Sequence, residues 1–228
     1  VAMDIPVLNP NSATVRLQYQ HLPLQRNALT ALYAAVVKDY DDYTTFNLLP
    51  QGGAKISRSD GSHILVENER MVIHDVVHDL GATVALEPFP LARERIAGLF
   101  KLVFAHATPQ KFATAVKLIA HVETAAPDGA LRVIGSALGP NFAAEKIEYH
   151  LGQKLTGVGV RIATTKGPPA PGFYDLRVEP LFRDLSRIYV DLDVQLDGST
   201  DKLAELELQV AGVGAYLKGN VKDLLAAL

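Results

Sequence analysis

Residues 45–77 read TFNLLPQGGAKISRSDGSHILVENERMVIHDVV, and the punctuation of this stretch decides the fold. Short apolar runs fall at about Thr45 to Pro50, Ala54 to Ser59, Ser62 to Glu67 and Arg70 to Val77, parted by Gly52-Gly53, Asp60-Gly61 and Asn68-Glu69. Runs of this length with Val, Ile and Phe suit a pleated, half-buried strand, and Gly, Asn and Asp tolerate the left-handed backbone that tight hairpins demand. The stretch therefore predicts an antiparallel meander, with Asp60-Gly61 as a two-residue type I′ turn.

Towards the N-terminus, Ala13 to Leu22 alternates Val15, Leu17 and Tyr19 with Arg16, Gln18 and Gln20, the period of a strand with one buried face. His21 shares the apolar phase. From Asn27, read as an N-cap, Leu29, Leu32, Tyr33, Val36, Val37 and Tyr40 follow the i, i+3, i+4 spacing of a one-stripe helix. Beyond the meander, Ile96, Leu99, Phe100 and Val103 carry a second helical period. Pro90 suits its first turn and Thr108-Pro109 its end.

The order then repeats. Thr114 to Glu123 alternates Val116, Leu118, Ala120 and Val122 against Lys117 and His121, and Pro127-Asp128-Gly129 turns into a further edge strand at Leu131 to Ile134. A helix from Gly139-Pro140 runs through Ala143, Ile147 and Leu151, where Gly152 can end it as a left-handed residue. Strands are expected at Lys154 to Thr165, Phe173 to Glu179 and Arg187 to Asp197, and a last helix from about Asp201 to Leu228. The fold class is α+β: two similar β-α-β-β-β-α halves, 1–110 and 111–228, with antiparallel sheets, helices on one face and a ferredoxin-like layout. Element order leaves open whether the halves share one continuous sheet.

Composition narrows the function classes. Of 228 residues, 48% are hydrophobic and 21% charged, which is globular and not disordered. The net charge of −3 has no polybasic run behind it, so nucleic acid is not an expected partner. Cysteine is absent, which removes disulfides, thiolate nucleophiles and Cys-based zinc sites. No uninterrupted apolar segment reaches ~18 residues, and Val1 to Pro10 lacks the basic flank and apolar run of a signal peptide. The expectation is a soluble cytoplasmic protein with no membrane partner.

Motifs that carry chemistry are few. On a strand, His74 and His78 of the run His74-Asp75-Val76-Val77-His78-Asp79 share a face but stand ~13 Å apart, too far for one metal ion. On a helix the same pair would meet, yet the β-branched residues around them favour the strand. Asp193, Gln195, Asp197-Gly198 and Asp201 have some of the spacing of a calcium loop, but Ala204 stands where a bidentate Glu is needed. Gly157-Val158-Gly159 lacks the third glycine and the helix of a dinucleotide fingerprint and reads as a bulge or a close backbone approach. Ser57 and Ser59 have no nucleophile elbow around them. Gly167-Pro168-Pro169-Ala170-Pro171-Gly172 is a stiff hairpin tip, read as a long connection or a docking loop. No metal or cofactor is expected.

Two surfaces remain. If the last three strands pair as neighbours, Arg161, Asp175, Arg177, Glu179, Asp191 and Asp193 share one sheet face, as a solvated set of cross-strand ion pairs or as a polar recognition surface. In the last helix Leu203, Leu206, Val210, Val213, Leu217 and Leu224 recur every three or four residues, with Asn220 interrupting, as in the seam of a coiled-coil contact. Gly212, Gly214 and Gly219 each cost about 1 kcal/mol relative to Ala in a helix interior. A second backbone packed against them would explain them. The seam docks either on the chain's own sheet or on a second copy, in which case Leu206, Val210, Val213, Leu217 and Leu224 form the interface of a homodimer.

The run Gly157-Val158-Gly159-Val160-Arg161-Ile162, then Tyr174 to Leu181 and Ile188 to Asp193, followed by a long helix, resembles the C-terminal half of a sporadically distributed bacterial family. The family has no assigned activity, so the resemblance implies an α+β fold and no catalytic residues. The favoured function is a non-enzymatic binding or assembly protein that self-associates. The alternative is an enzyme or small-ligand-binding protein with a polar pocket between the halves, using some of His74, His78, Asp75, Arg161 and Arg177.

Overall fold

Alternating sequence needs a partner on one side only, and the structure answers it with one open sheet. The computed structural model describes residues 8–76, 88–139, 144–154, 157–164 and 172–227. In chain order these form β1 (Leu8–Tyr19), α1 (Arg26–Asp39), β2 (Thr45–Leu48), β3 (Ala54–Ser57), β4 (His63–Val66), β5 (Arg70–Val76), α2 (Pro88–His106) and β6 (Phe112–Glu123). There follow α3 (Gly129–Ala137), α4 (Ala144–Leu151), β7 (Val160–Ala163), β8 (Gly172–Leu181), β9 (Asp184–Leu196), α5 (Leu203–Tyr216), a π-turn (Leu217–Val221) and α6 (Lys222–Ala227).

All nine strands join one sheet in the order β2-β3-β4-β5-β1-β6-β9-β8-β7, and every neighbouring pair is antiparallel. The question of one sheet or two is thereby answered. The fold is α+β around a large open antiparallel sheet. Its centre is the β1–β6 pair, where Val15 sits opposite Val116. From that pair the order runs outward through β5, β4, β3 and β2 on one side and β9, β8 and β7 on the other.

Register carries the apolar phase across the sheet. Val15, Val116, Val194 and Tyr174 lie opposite one another in turn, as do Ala13, Leu118, Leu192 and Leu176, and all eight are buried. Against this face pack Leu29, Leu32 and Val36 of α1, Ile96, Leu99, Phe100 and Val103 of α2, Ala130, Val133 and Ile134 of α3, and the buried stripe of α5, all in one core. Each buried aliphatic side chain stabilises by about 1.5–3 kcal/mol, so this layer is the main source of stability.

Several boundaries differ from the sequence reading for local reasons. Leu131 to Ile134 lies in α3, not in an edge strand, because Ala130, Val133 and Ile134 are buried at helical spacing. The turn at Asp60-Gly61 is a three-residue loop: Arg58 N bonds Ser62 O at 2.9 Å, Gly61 has φ 97°, and the Asp60 carboxylate accepts the Ser62 N–H at 2.8 Å. Asn27 does not cap α1, which starts at Arg26 after Gln25 with no side-chain cap. Gly152 does take φ 65° after α4. Gly53 is required twice over, since it has φ 110° and an added Cβ would lie 2.2 Å from the Val66 carbonyl oxygen. Gly157 and Gly159 are sites of close approach, where a Cβ would come within 3.0 Å of Phe182 and 2.8 Å of Glu179 Cβ.

Candidate functional site: the open sheet face and its flanks

Residues of the opposite phase make the second face of the sheet, and a polar set runs across it between apolar positions such as Val72 and Ile119. Thr14 and Arg16 on β1, Lys117 on β6, Asp191 and Asp193 on β9, Asp175, Arg177 and Glu179 on β8 and Arg161 on β7 all belong to it, because the registers place Arg161 opposite Arg177, Arg177 opposite Asp191, and Asp175 opposite Asp193. The last three strands do pair as neighbours, the condition under which the alternation sets these residues on one face. Its charges are mostly paired. Arg16 grips Asp193 with two bonds of 2.5 and 2.7 Å, Lys117 reaches Asp191 at 2.8 Å, and Arg161 holds Asp175 at 2.8 and 2.6 Å. The Arg161 hydrogen bonds hold the Asp175 carboxyl below the usual carboxylate range.

Two details were not legible beforehand. Asp191, expected to face water, is 6% exposed beneath Lys117 and leaves Oδ1 without a partner among the described residues. Arg177 is exposed and makes no ion pair among the described residues, since its neighbours across the strands are Arg161 and an Asp191 already held by Lys117. Glu179 lies opposite Tyr189.

At the other end of the same face, His74 meets not His78, which lies outside the described residues, but His63 of β4. Their ring centroids are 5.2 Å apart, and His74 Nδ1 lies 2.7 Å from Thr14 Oγ1. Burial and the His63 charge lower the His74 pKa. The pairing has a sequence signal that motif reading missed: reflection through the Asn68-Glu69 turn sets 63 opposite 74.

Asp75, next along β5, points the other way, under the helices. It is 4% exposed and stands 3.4 Å from Arg58 and 3.8 Å from Arg95. Arg58 also reaches Asp42 and Asp60 at 3.0 Å each, and Arg95 reaches Asp42 at 2.5 Å. Both guanidiniums lie over tyrosine rings, Arg58 over Tyr43 at 5.8 Å and Arg95 over Tyr40 at 5.6 Å. Burial raises the Asp75 carboxyl pKa and pushes the Tyr43 hydroxyl up. The cluster ties the end of α1, the β3–β4 hairpin and α2 together. Three buried polar atoms in it, Tyr43 OH, Asp42 Oδ1 and Arg95 Nε, have no hydrogen-bond partner among the described residues.

The residues named for a pocket therefore do not converge. His74 and Arg177 share a face but are four strand spacings apart, ~19 Å, Arg161 lies one spacing further, and Asp75 is on the opposite face. A groove exists elsewhere on the sheet. It encloses about 680 Å³ where the end of β1 meets the start of β6, lined by Gln18, Gln20, His21, Gln110, Lys111 and Ser199 among others. No group of three or more His, Cys, Asp or Glu able to hold a metal occurs among the described residues. The Pro-rich tip at 167–171 lies outside them, with Gly172 opening β8.

The terminal helix corrects the expected seam. Leu206, Val210, Val213 and Leu217 are 1–4% exposed within the single chain, so this stripe closes the chain's own core. The π-turn then advances the stripe by one residue, burying Val221 and Leu225 completely and leaving Leu224 only packed against the margin. A π-turn inserts one residue per turn, which is why the spacing through Asn220 and Leu224 misleads. The opposite face carries Ala204, Leu208, Gly212 and Ala215, all exposed, with Leu208 at 73%. A Cβ added at Gly212 or Gly219 would meet nothing within 4 Å, so close packing inside the chain does not explain these glycines.

No helix among the described residues is long and apolar enough to cross a membrane. Compared with known proteins, the chain matches no protein-family model and no curated protein.

Proposed function

We propose that this protein is a non-enzymatic binding or assembly protein that self-associates as a homodimer through the outward face of α5. The observation that carries the reading is a large apolar side chain left uncovered on the outward side of α5. Leu206, Val210 and Val213 are buried, yet Leu208 stands 73% exposed between Ala204 and Gly212, beside Glu205. An exposed leucine flanked by small residues suits a contact surface. The stripe, continued into the π-turn, holds a ridge, Leu208, and hollows, Gly212, Ala215 and Gly219, so two copies related by a twofold axis can set each ridge in the other's hollow. An antiparallel crossing centred between Val213 and Gly214 puts Leu208 opposite Gly219 and Glu205 opposite Lys222 of the second copy.

In this reading the halves 1–110 and 111–228 are two similar units joined at the β1–β6 pair, supported by the strand order read outward from it. The protein is cytoplasmic, and the likeness of its last strands to the sporadically distributed bacterial family brings no activity with it. The polar face bearing Arg161, Arg177, Glu179, Asp191 and Asp193 is the second recognition surface, with Arg177 as its unpaired cation among the described residues.

Light scattering on the intact chain tests the proposal. Wild type should give about twice the 24.6 kDa chain mass, and Leu208→Glu the single mass with an unchanged circular dichroism spectrum. A monomeric wild type, or a Leu208→Glu variant that remains dimeric, refutes it.

A second reading rests on the groove at the end of β1 and the start of β6, whose mixed lining includes Gln18, Gln20, Gln110 and Lys111 and suits a small ligand with polar groups.

A further inference from the structure

Outside the α5 face and the groove, one pair of metal-ligating side chains stands in the geometry of a site. His63 and His74 lie directly opposite on β4 and β5, with ring centroids 5.2 Å apart and planes inclined by 36°. Each ring has one nitrogen engaged. His63 Nδ1 is 3.0 Å from the Gly61 carbonyl oxygen, an acceptor only, so His63 donates its Nδ1–H there and keeps a bare Nε2 in the neutral form. His74 Nδ1 is 2.7 Å from Thr14 Oγ1, a hydroxyl that can accept the Nδ1–H and so support the same tautomer. Neither Nε2 has a hydrogen-bond partner among the described residues.

Two imidazoles tied back at Nδ1 and bare at Nε2 are the arrangement in which histidines bind metal, the tied nitrogen fixing ring orientation and raising basicity. The distance fits as well. With metal–nitrogen bonds of about 2.0–2.1 Å and a tetrahedral angle, the centroids of two ligating imidazoles lie about 5 Å apart. We infer that His63 and His74 form a two-nitrogen site for a divalent transition-metal ion, Cu²⁺, Ni²⁺ or Zn²⁺, with water in the remaining positions and Thr14 and Gly61 holding the rings.

Access supports it as well. Both rings lie on the face of the sheet that the helices leave open, His63 partly exposed, so an ion has a path in. Imidazole ligands and the general order of stability make Cu²⁺ the tightest ion. The inference does not depend on self-association through α5.

The test uses the full chain without a polyhistidine tag, stripped with chelator, and titrates Cu²⁺ and Zn²⁺ alone by calorimetry with electron paramagnetic resonance of the copper form. The expected result is one site per chain, tighter for Cu²⁺, with superhyperfine splitting from two nitrogens. His63→Gln and His74→Gln should each weaken binding by about tenfold or more, and Thr14→Val should weaken it in the same direction through loss of the tied nitrogen. His150→Gln, on α4, should leave it unchanged. His63 is at a partly exposed strand position, so its variant decides the matter even if the His74 variant loses its fold. Wild-type binding no tighter than that of the His63→Gln/His74→Gln double variant, a one-nitrogen spectrum, or a loss caused by His150→Gln overturns the inference.

Discussion

Four leucines of the terminal helix provide the sharpest test of how it sits. Leu217 is 4% exposed and Leu225 is fully buried, whereas Leu224 is only partly buried and Leu208 is 73% exposed. Truncating a buried leucine to alanine removes its transfer free energy and leaves a cavity, which together cost about 2–5 kcal/mol. Leu217→Ala and Leu225→Ala should therefore each lower stability by about 3 kcal/mol, Leu224→Ala by about 1, and Leu208→Ala by no more than about 0.5. With a urea m-value of about 3 kcal/mol/M, the first two midpoints fall by about 1 M. Urea unfolding followed by circular dichroism reads this directly. The protein should be below micromolar concentration, so that dimer dissociation does not add to the Leu208 value. The neighbours Leu224 and Leu225 matter most, because a straight α-helix continuing the 206, 210, 213, 217 spacing would favour 224. Equal losses at 224 and 225, or a larger loss at 224, would refute the π-turn and the face assignment built on it.

Two further outcomes follow from local geometry. Gly53→Ala forces a Cβ at φ 110° to within 2.2 Å of the Val66 carbonyl and should destabilise by about 3 kcal/mol in urea unfolding, while Gly61→Ala, also at positive φ but with nothing within 4 Å, should cost only the backbone term of about 1–2. Equal losses would show that the Gly53 contact is not present. For Asp75, burial raises the folded-state pKa, so the folded chain binds more protons than the unfolded one between the two pKa values, and stability falls as pH rises through that window. Asp75→Asn cannot ionise, so its stability relative to wild type should improve from acid pH upward across the window; a difference that worsens with rising pH, or an Asp75 carboxyl that titrates below 3.8 by NMR, contradicts this.

Much of the sheet was readable because strand periodicity is local. Val15, Leu17 and Tyr19 against Arg16 and Gln18 specify a two-sided strand whatever surrounds them, and reflection through Asn68-Glu69 sets His63 against His74. The polar face of β7, β8 and β9 was readable for the same reason: alternation places Arg161, Arg177 and Asp191 in one phase, and antiparallel neighbours align them. The run Leu131 to Ile134 was not legible, because a short segment with Leu131, Val133 and Ile134 apolar satisfies both periods, and only burial of Ala130, Val133 and Ile134 selects the helix.

What the amino-acid order determined by itself was the α+β class, the meander, the faces of the strands and the absence of thiol chemistry, since all of these depend on residue type and short-range spacing. Tertiary structure alone decided that the strands form one sheet through the β1–β6 pair, that Asp75 joins Arg58 and Arg95, and that the terminal helix buries Val221 and Leu225. Those outcomes depend on contacts between residues tens of positions apart. Which element packs against which is settled by the summed burial of the whole core, which no short window of the chain contains.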